Sequence, residues 1–405
     1  MKSPSKPGKP TLFLCNDVVF HKNTNRILMV TSTFFPVIGG AEVLIYELAR
    51  SLVKKGYKVT IICPKSQNSA VKDLAGIKVL SLLEQKGKAG FLKNICRTLV
   101  FLFMHHREID IMHAHFAFPS GFMAAFCRLF GIPVIITSYG SDIQVSAEAS
   151  YGVRRNKIAA VLTWLALKLA NVHVVLCRSM IEEAIHAGSD PKKIRVIHDG
   201  INSDEIVAGQ TRIIERLELP PSDVVVLYLG RLHPKKRPED LIKAAVKVLK
   251  IGQKAKFVIA GKGEEKAKLE RLVKKLGLTN NVIFAGFVSD AEKWDLLTRA
   301  DVFVLPSLME GQPVTVLEAM ACGIPIIATN RGPFPEMINS SMGVLVPPRD
   351  QEALAEAIMR LVMDRELRHS MGAKCAKTVE ERYTVERMVE NYETIYKVVS
   401  SKKTH

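Results

Sequence analysis

Short apolar runs alternate with longer amphipathic stretches along most of this chain. "RILMVTS" (26–32) is an apolar run of strand length, and "FFPVIGGAE" follows it as a glycine turn. "EVLIYELARSLVKK" then places Val43, Leu44, Leu48 and Leu52 at helical spacing, and Gly56 ends it. "YKVTIICP" is the next strand. Strand, helix, strand in this order is the crossover unit of a parallel sheet. The alternation continues with "IDIMHAHF" (strand into loop), "GFMAAFCRLFG" (helix), "IPVIITSYG" (strand) and "NKIAAVLTWLALKLA" (helix). Strands "NVHVVLCR" and "IRVIHDGI" follow.

Between 203 and 222 the pattern weakens into a polar stretch ending "ELPPSD", which marks a domain boundary. A second series then begins with strand "VVVLYLG", helix "PEDLIKAAVKVLK", strand "AKFVIAG" and helix "EEKAKLERLVKKLG". Strand "NVIFAGF", helix "DAEKWDLLTRA", strand "DVFVLPS", helix "TVLEAMACG" and strands "IPIIATN" and "MGVLVPP" complete it, with helices from Gln351 onward. The prediction is an α/β chain with two doubly wound, Rossmann-like parallel sheets. Residues 1–25 read as a flexible extension, 26–205 as the first domain and 206–384 as the second. Ligands of such sheets bind beyond the carboxyl ends of the strands, so a cleft between the domains is the expected site.

Composition adds a constraint on partners. The 405 residues are 48% hydrophobic and 24% charged, enough for two sizeable cores, and the net charge is +17. An anionic partner follows from that charge: nucleic acid, a membrane surface or a phosphorylated small molecule. No recognisable nucleic-acid-binding signature accompanies it, so no nucleic acid is expected. The cysteines at 15, 63, 96, 127, 177, 322 and 375 are odd in number and unpaired in spacing. They read as small core residues of a reducing compartment, with neither a disulfide framework nor a metal site. No apolar run has the length of a transmembrane span, and "TLFLC" near the start is too short for a signal peptide, so a cytoplasmic location is expected.

The chemistry-bearing residues fall at strand ends. In "LMEGQPVTVLEA" (308–319), Glu310 lies just past a strand and Glu318 in the first turns of a helix expected to begin near Thr315. The free amides of that helix start favour an anion. Read alone, Glu310 is more simply a turn residue and Glu318 a dipole-favoured glutamate. "LGRLHPKKRPEDLI" presents Arg231 and Lys236 from another strand end, where Arg suits a bidentate phosphate clamp. A basic triplet such as Lys235–Arg237 also serves as a solvated face. Gly39 and Gly40 precede a helix without forming a GxGxxG fingerprint, and "AGKGEE" (260–265) reads as a plain turn. "KGKAGFLKNICRTLVFLFMHHR" (86–107) mixes five Lys or Arg with apolar residues and no acid, which fits a membrane-lying helix and a buried one equally well.

Taken together, "GGAE" (39–42), "HAHF" (113–116), "GSD" (140–142), "GRLHPKK" (230–236), "AGFV" (285–288), Glu310-x7-Glu318, "EAMACGIPIIAT" (318–329) and "VLVPPRDQEALAEAI" (344–358) resemble the retaining, nucleotide-sugar-dependent glycosyltransferases of family 4. The match runs over roughly 26–400 and implies the GT-B fold. It makes the first domain the acceptor side and the second the donor side, with 385–405 returning to the first. It implies a catalytic set of His115, Glu310, Arg231 and Lys236. Arg231 and Lys236 would hold the donor diphosphate, Glu318 the ribose and Glu310 the sugar, beside the backbone of Gly311, Gln312 and Val314. Val288 would meet the base through its backbone, and Gly39 and Gly40 would close on the donor from the first domain. His115, or His113 in its place, would sit near the anomeric carbon, with Tyr139 and Asp142 on the acceptor side. No metal and no cofactor are implied beyond a UDP- or GDP-sugar co-substrate. The acceptor would be a lipid-linked or cell-envelope glycan, and an anionic inner membrane face a possible partner. Three positions depart from the family pattern: Tyr139 where His is frequent, Asp199 where Asn is usual, and Pro333 where Gly is common. A nucleotide-sugar epimerase and a catalytically silent sugar-nucleotide binder are the alternatives on this fold.

Overall fold

Parallel crossovers need strands buried on both faces, and the apolar runs supply them. The computed structural model describes residues 25–35, 39–65, 74, 76–84, 88–250, 252 and 254–401. In the first domain the chain runs β1 (Arg26–Thr31), α1 (Gly40–Lys54), β2 (Lys58–Pro64), β3 (Lys78–Leu83), α2 (Lys88–His105), β4 (Ile111–His115) and α3 (Phe122–Ala125). β5 (Val134–Ser138), α4 (Lys157–Leu169), β6 (Val172–Val175), α5 (Ile181–His186) and β7 (Ile194–Val196) follow. Its strands form one sheet in the order β3-β2-β1-β4-β5-β6-β7, with every recorded pairing parallel. The expected extension falls almost wholly on residues 1–24, outside the described residues.

The second domain holds α6 (Ile213–Arg216), β8 (Val224–Leu229), α7 (Pro238–Lys250), β9 (Ala255–Ala260), α8 (Lys266–Lys275), β10 (Val282–Gly286) and α9 (Asp290–Arg299). It continues with β11 (Val302–Leu305), α10 (Val314–Ala321), β12 (Ile326–Thr329), α11 (Phe334–Met337), β13 (Gly343–Val346), α12 (Gln351–Met363) and α13 (Arg365–Arg382). The sheet order is β10-β9-β8-β11-β12-β13, again parallel. α14 (Val385–Ser401) then crosses back and lays Met388, Val389, Tyr392 and Tyr396 into the first core, beside Leu48 of α1 and Ile135 of β5. The two chain crossings lie side by side, Ile201 N–H donating to the Tyr383 carbonyl at 2.9 Å. No helix among the described residues is long and apolar enough to cross a membrane.

Three local differences from the sequence reading have physical causes. β3 escapes the pattern because, as an edge strand, it is half exposed along most of its length. The expected helix 121–131 divides into the short α3 and a tighter turn over Phe126–Phe130, which Gly131 closes at φ 68°. α10 starts at Val314, so Pro313 stands as its N-cap and not within the first turn. The six described cysteines are free, and Cys96, expected in the core, is exposed on α2.

The first sheet also buries histidines. His113 in β4 bonds Tyr396 Oη through Nδ1 at 2.8 Å and Thr137 Oγ1 through Nε2 at 2.8 Å, and His173 in β6 bonds Ser138 Oγ at 2.8 Å. Burial pulls both imidazoles down to about 3. The unfolded chain takes up protons near 6.5 and the folded chain does not, so stability falls as pH drops through 6.5 and levels off below about 3. We expect the thermal midpoint to drop between pH 7.5 and 5.5, each histidine contributing about 1.4 kcal/mol per pH unit below 6.5. His173→Gln should flatten that slope, and equal slopes in parent and variant would refute the assignment.

Candidate active site

β11 ends at Leu305, and the loop beyond it carries Glu310 between the domains. Glu310 is only 6% exposed. Its Oε1 meets Lys236 Nζ at 2.8 Å and accepts from Ser307 Oγ at 2.7 Å. Thr329 Oγ1 donates to the Ser307 carbonyl at 2.6 Å and fixes that serine in turn. Burial alone favours a neutral carboxyl, but Lys236, Lys235 and Ser307 hold it below the usual glutamate range. Lys236 closes the short turn Pro234–Lys236 beyond β8, and Arg231 stands exposed at the start of the same loop. The stretch Ala260–Gly263 backs this loop: Leu232 N–H donates to the Lys262 carbonyl at 3.0 Å. A Cβ on Gly261, at φ +137°, would lie 1.9 Å from the Gly230 carbonyl oxygen, so only glycine allows that approach. What reads as a plain turn is the support of the Arg231 loop.

Glu318 on α10 faces α9, where Lys293 Nζ meets its Oε1 at 2.7 Å. Lys293 also lies 4.4 Å from the centre of the Trp294 ring. Burial pushes the Glu318 carboxyl up against the pull of Lys293, while Glu318 keeps Lys293 protonated. Sequence reading missed Lys293, although its place one turn into "DAEKWDLL" is visible. Val288 follows β10 with its side chain packed on the second core, leaving its backbone for contact.

On the first-domain side, His115 ends β4 and is fully buried. Its Nδ1 lies 2.9 Å from Tyr139 Oη, and its Nε2 has no protein partner. Burial holds the Tyr139 phenol protonated and the His115 imidazole neutral, so the two share one proton-donating contact while Nε2 faces no protein group. His113 stacks beside it with ring centres 4.2 Å apart, but both of its nitrogens are engaged inside the domain. Of the two, His115 is the one with a free nitrogen. Asp142 is fully buried and accepts from the N–H groups of Ala117 (2.7 Å), Tyr139 (3.2 Å) and Gly140 (3.2 Å). It shapes the loop that presents Tyr139 and offers no free carboxylate oxygen to an acceptor. Gly39 is the N-cap of α1 and Gly40 its first residue.

The two halves converge on one loop. Gln144 Nε2 donates to the Glu310 carbonyl at 3.1 Å, Cys177 Sγ to the Gly311 carbonyl at 3.0 Å, and Asp199 N–H to Gln312 Oε1 at 2.8 Å. A Cβ on Gly311 would lie 2.8 Å from the Tyr139 carbonyl oxygen. Gly40 and Val314 face each other, so the starts of α1 and α10 meet across the cleft. Neither start has a side-chain cap, whereas α9, α12 and α13 are capped by Ser289, Asp350 and Asp364. Around this point His115 Nε2, Gln144 Oε1, Asp199 Oδ2, Gln312 Nε2 and Thr315 Oγ1 are buried without protein partners. Burial drives the Asp199 carboxyl strongly toward its neutral form, in which it hydrogen-bonds much as the usual asparagine would.

Removing one partner of a buried ion pair strands the other charge. Lys293→Ala should therefore destabilise the second domain by about 3 kcal/mol in equilibrium unfolding. Adding Glu318→Gln should recover most of that loss; no recovery would show that the pair is not coupled.

Known proteins share this fold. Residues 38–205 match the sequence profile described as Glycosyltransferase Family 4, and residues 209–378 match that of Glycosyl transferases group 1. N-acetyl-alpha-D-glucosaminyl L-malate synthase of Bacillus anthracis is 26% identical, over 91% of this chain and 96% of that protein. UDP-Gal:alpha-D-GlcNAc-diphosphoundecaprenol alpha-1,3-galactosyltransferase of Escherichia coli is 23% identical, over 92% and 97%. Among solved structures, Anabaena HepE in complex with UDP superposes with a TM-score of 0.76 at 19% identity, over 92% of this chain and all of that one. Two parallel-sheet domains joined by a returning helix, with both halves matched in sequence, place this chain in the family 4, group 1 glycosyltransferases, as a glycosyltransferase of GT-B fold.

Proposed function

We propose that the protein moves a sugar from a UDP- or GDP-sugar to a lipid-linked or cell-envelope glycan with retention of anomeric configuration, without metal or further cofactor. The observation that carries this reading is the meeting of the α1 and α10 starts at the loop where Lys236 holds the buried Glu310, with Arg231 exposed at the start of the Lys236 loop. Cations and oriented amides of this kind stabilise a departing diphosphate, and they do so without reorganising as charge develops. Glu310, held ionised, is suited to accept from sugar hydroxyls, and Glu318 from ribose hydroxyls. His115, whose Nε2 has no protein partner, is the orienting group for the sugar. The bond from the anomeric carbon to the diphosphate oxygen breaks. The acceptor oxygen bonds to that carbon from the same face, and its proton passes to the departing phosphate oxygen. The names of the relatives support the substrates: one uses UDP-galactose and a diphosphoundecaprenol-linked sugar, and HepE was solved with UDP. Work at the cytoplasmic face of a membrane follows from such an acceptor.

Donor binding, variant kinetics and product analysis test this. One nucleotide class among UDP-, GDP- and ADP-sugars should raise the thermal midpoint, and Arg231→Ala should abolish the rise and lower kcat/KM by about 10²–10³-fold. No response to any donor would overturn the donor site. Tyr139→Phe should lower kcat by about tenfold with donor KM nearly unchanged, since it frees the His115 ring without touching the phosphate contacts. Proton NMR of the product should show the donor's anomeric configuration, and EDTA should leave the rate unchanged; inversion or loss of rate would refute retention or metal independence.

A further inference from the structure

One face of the first domain is covered in a way that water alone does not favour. α2, α3 and α4 lie side by side on the same side of the first sheet, sharing a core through Leu102, Met123 and Leu167. Phe91 of α2 touches Phe122 of α3, and Thr98 of α2 lies against Met123. The outward faces of α2 and α4 are apolar as well as the inward ones. On α2, Leu92, Val100, Phe103 and Met104 recur at helical spacing on the exposed side, Phe103 being 74% exposed. On α4, Ile158, Val161 and Trp164 do the same, with Ile158 at 68%. Leu129, at 77%, lies just beyond α3, between them in the sheet's connection order. Sixteen large apolar side chains are exposed among the described residues, and only Val207, Phe287, Met363 and Val398 lie outside 92–185. Exposed apolar side chains in this number on neighbouring helices mark an interaction surface.

Charge selects the partner. Lys93 of α2, Arg128 after α3, and Lys157 and Lys168 of α4 are exposed and positive, Arg97 being paired with Glu84, and these three elements contain no Asp or Glu. A protein partner of mixed surface would not require that bias, whereas an anionic bilayer does: apolar side chains enter the acyl boundary while Lys and Arg meet the headgroups. We infer that the outward face of α2, α3 and α4 is a docking surface for an anionic lipid bilayer. The inference deepens the lipid-linked acceptor reading and rests on it for its purpose. α4 begins one residue after the segment 139–156, which carries Tyr139 and leads from the cleft, so docking sets the mouth of the cleft at the lipid surface.

The test uses the full chain and vesicles of phosphatidylcholine with or without phosphatidylglycerol. The protein should co-sediment with the anionic vesicles, and salt should weaken the binding. Phe103→Ser with Ile158→Ser should reduce it at least about tenfold, the effect of withholding one or two large apolar anchors. The donor-induced thermal shift should be unchanged in that variant, which separates loss of docking from failure of the transfer reading. A second measurement needs no variant. The chain has two tryptophans, Trp164 at 48% exposure and Trp294 buried in the second core at 7%. Brominated lipid should quench the Trp164 part of the emission. Unquenched emission, equal binding of variant and parent, or a dimer of the parent that the variant splits would each overturn the proposal, the last by showing a second copy on this face.

Discussion

A carboxylate cannot stay ionised in a protein interior unless cations and donors surround it, and the cleft is organised around that requirement at Glu310. Lys236 and Ser307 grip its side chain from the second domain. The backbone of the same loop is gripped from the first: the Glu310 and Gly311 carbonyls take hydrogen bonds from Gln144 and Cys177. One loop thus pairs a charge within one domain and bonds to the other. Satisfying Glu310 fixes where Lys236 stands, and with it the loop that starts at Arg231. The domain contacts fix where α10 begins.

The first domain answers with a chain of neutral groups. Tyr139, His115, His113, Thr137, Tyr392 and Tyr396 are linked by hydrogen bonds or ring contacts from the cleft to α14. None carries charge when buried, so the network positions without adding to the field. Positive charge comes from the other side, through Arg231, Lys236 and the start of α10, whereas the start of α1 carries the buried Glu42 in its first turn. The division suits a reaction whose charge develops on the departing phosphate and whose sugar is held mainly by hydroxyl contacts.

Much of this was legible in the sequence because the deciding residues stand at strand ends. Glu310, Arg231, Lys236 and His115 each follow or close an apolar run of strand length, where side chains must leave the sheet for the cleft. Residues whose partners come from distant segments were not legible. Lys293 reads as a surface lysine of an amphipathic helix until α10 brings Glu318 to it. Gln144, Cys177 and Asp199 gain meaning only when the two domains face each other, which no local pattern encodes. The half-exposed β3 was lost because edge strands need not follow the buried pattern, and Ala260–Gly263 because its glycines answer to another loop's backbone. Of α2, the basic and apolar mixture was visible, but whether its apolar side faced in or out was not. The structure shows that it faces both ways, and that α4 does the same.

The return of α14 has a mechanical consequence. The second domain is spliced into the first, entering near Ile201 and leaving near Thr384, and these two strands of chain are paired side by side. A body hung on a single tether swivels and twists; one hung on two adjoining pins swings about the line through them. The paired crossings therefore restrict how far His115 of one domain can shift against Glu310 of the other. Accuracy in a site split between two bodies is thus secured far from the site, by where the chain makes its two crossings.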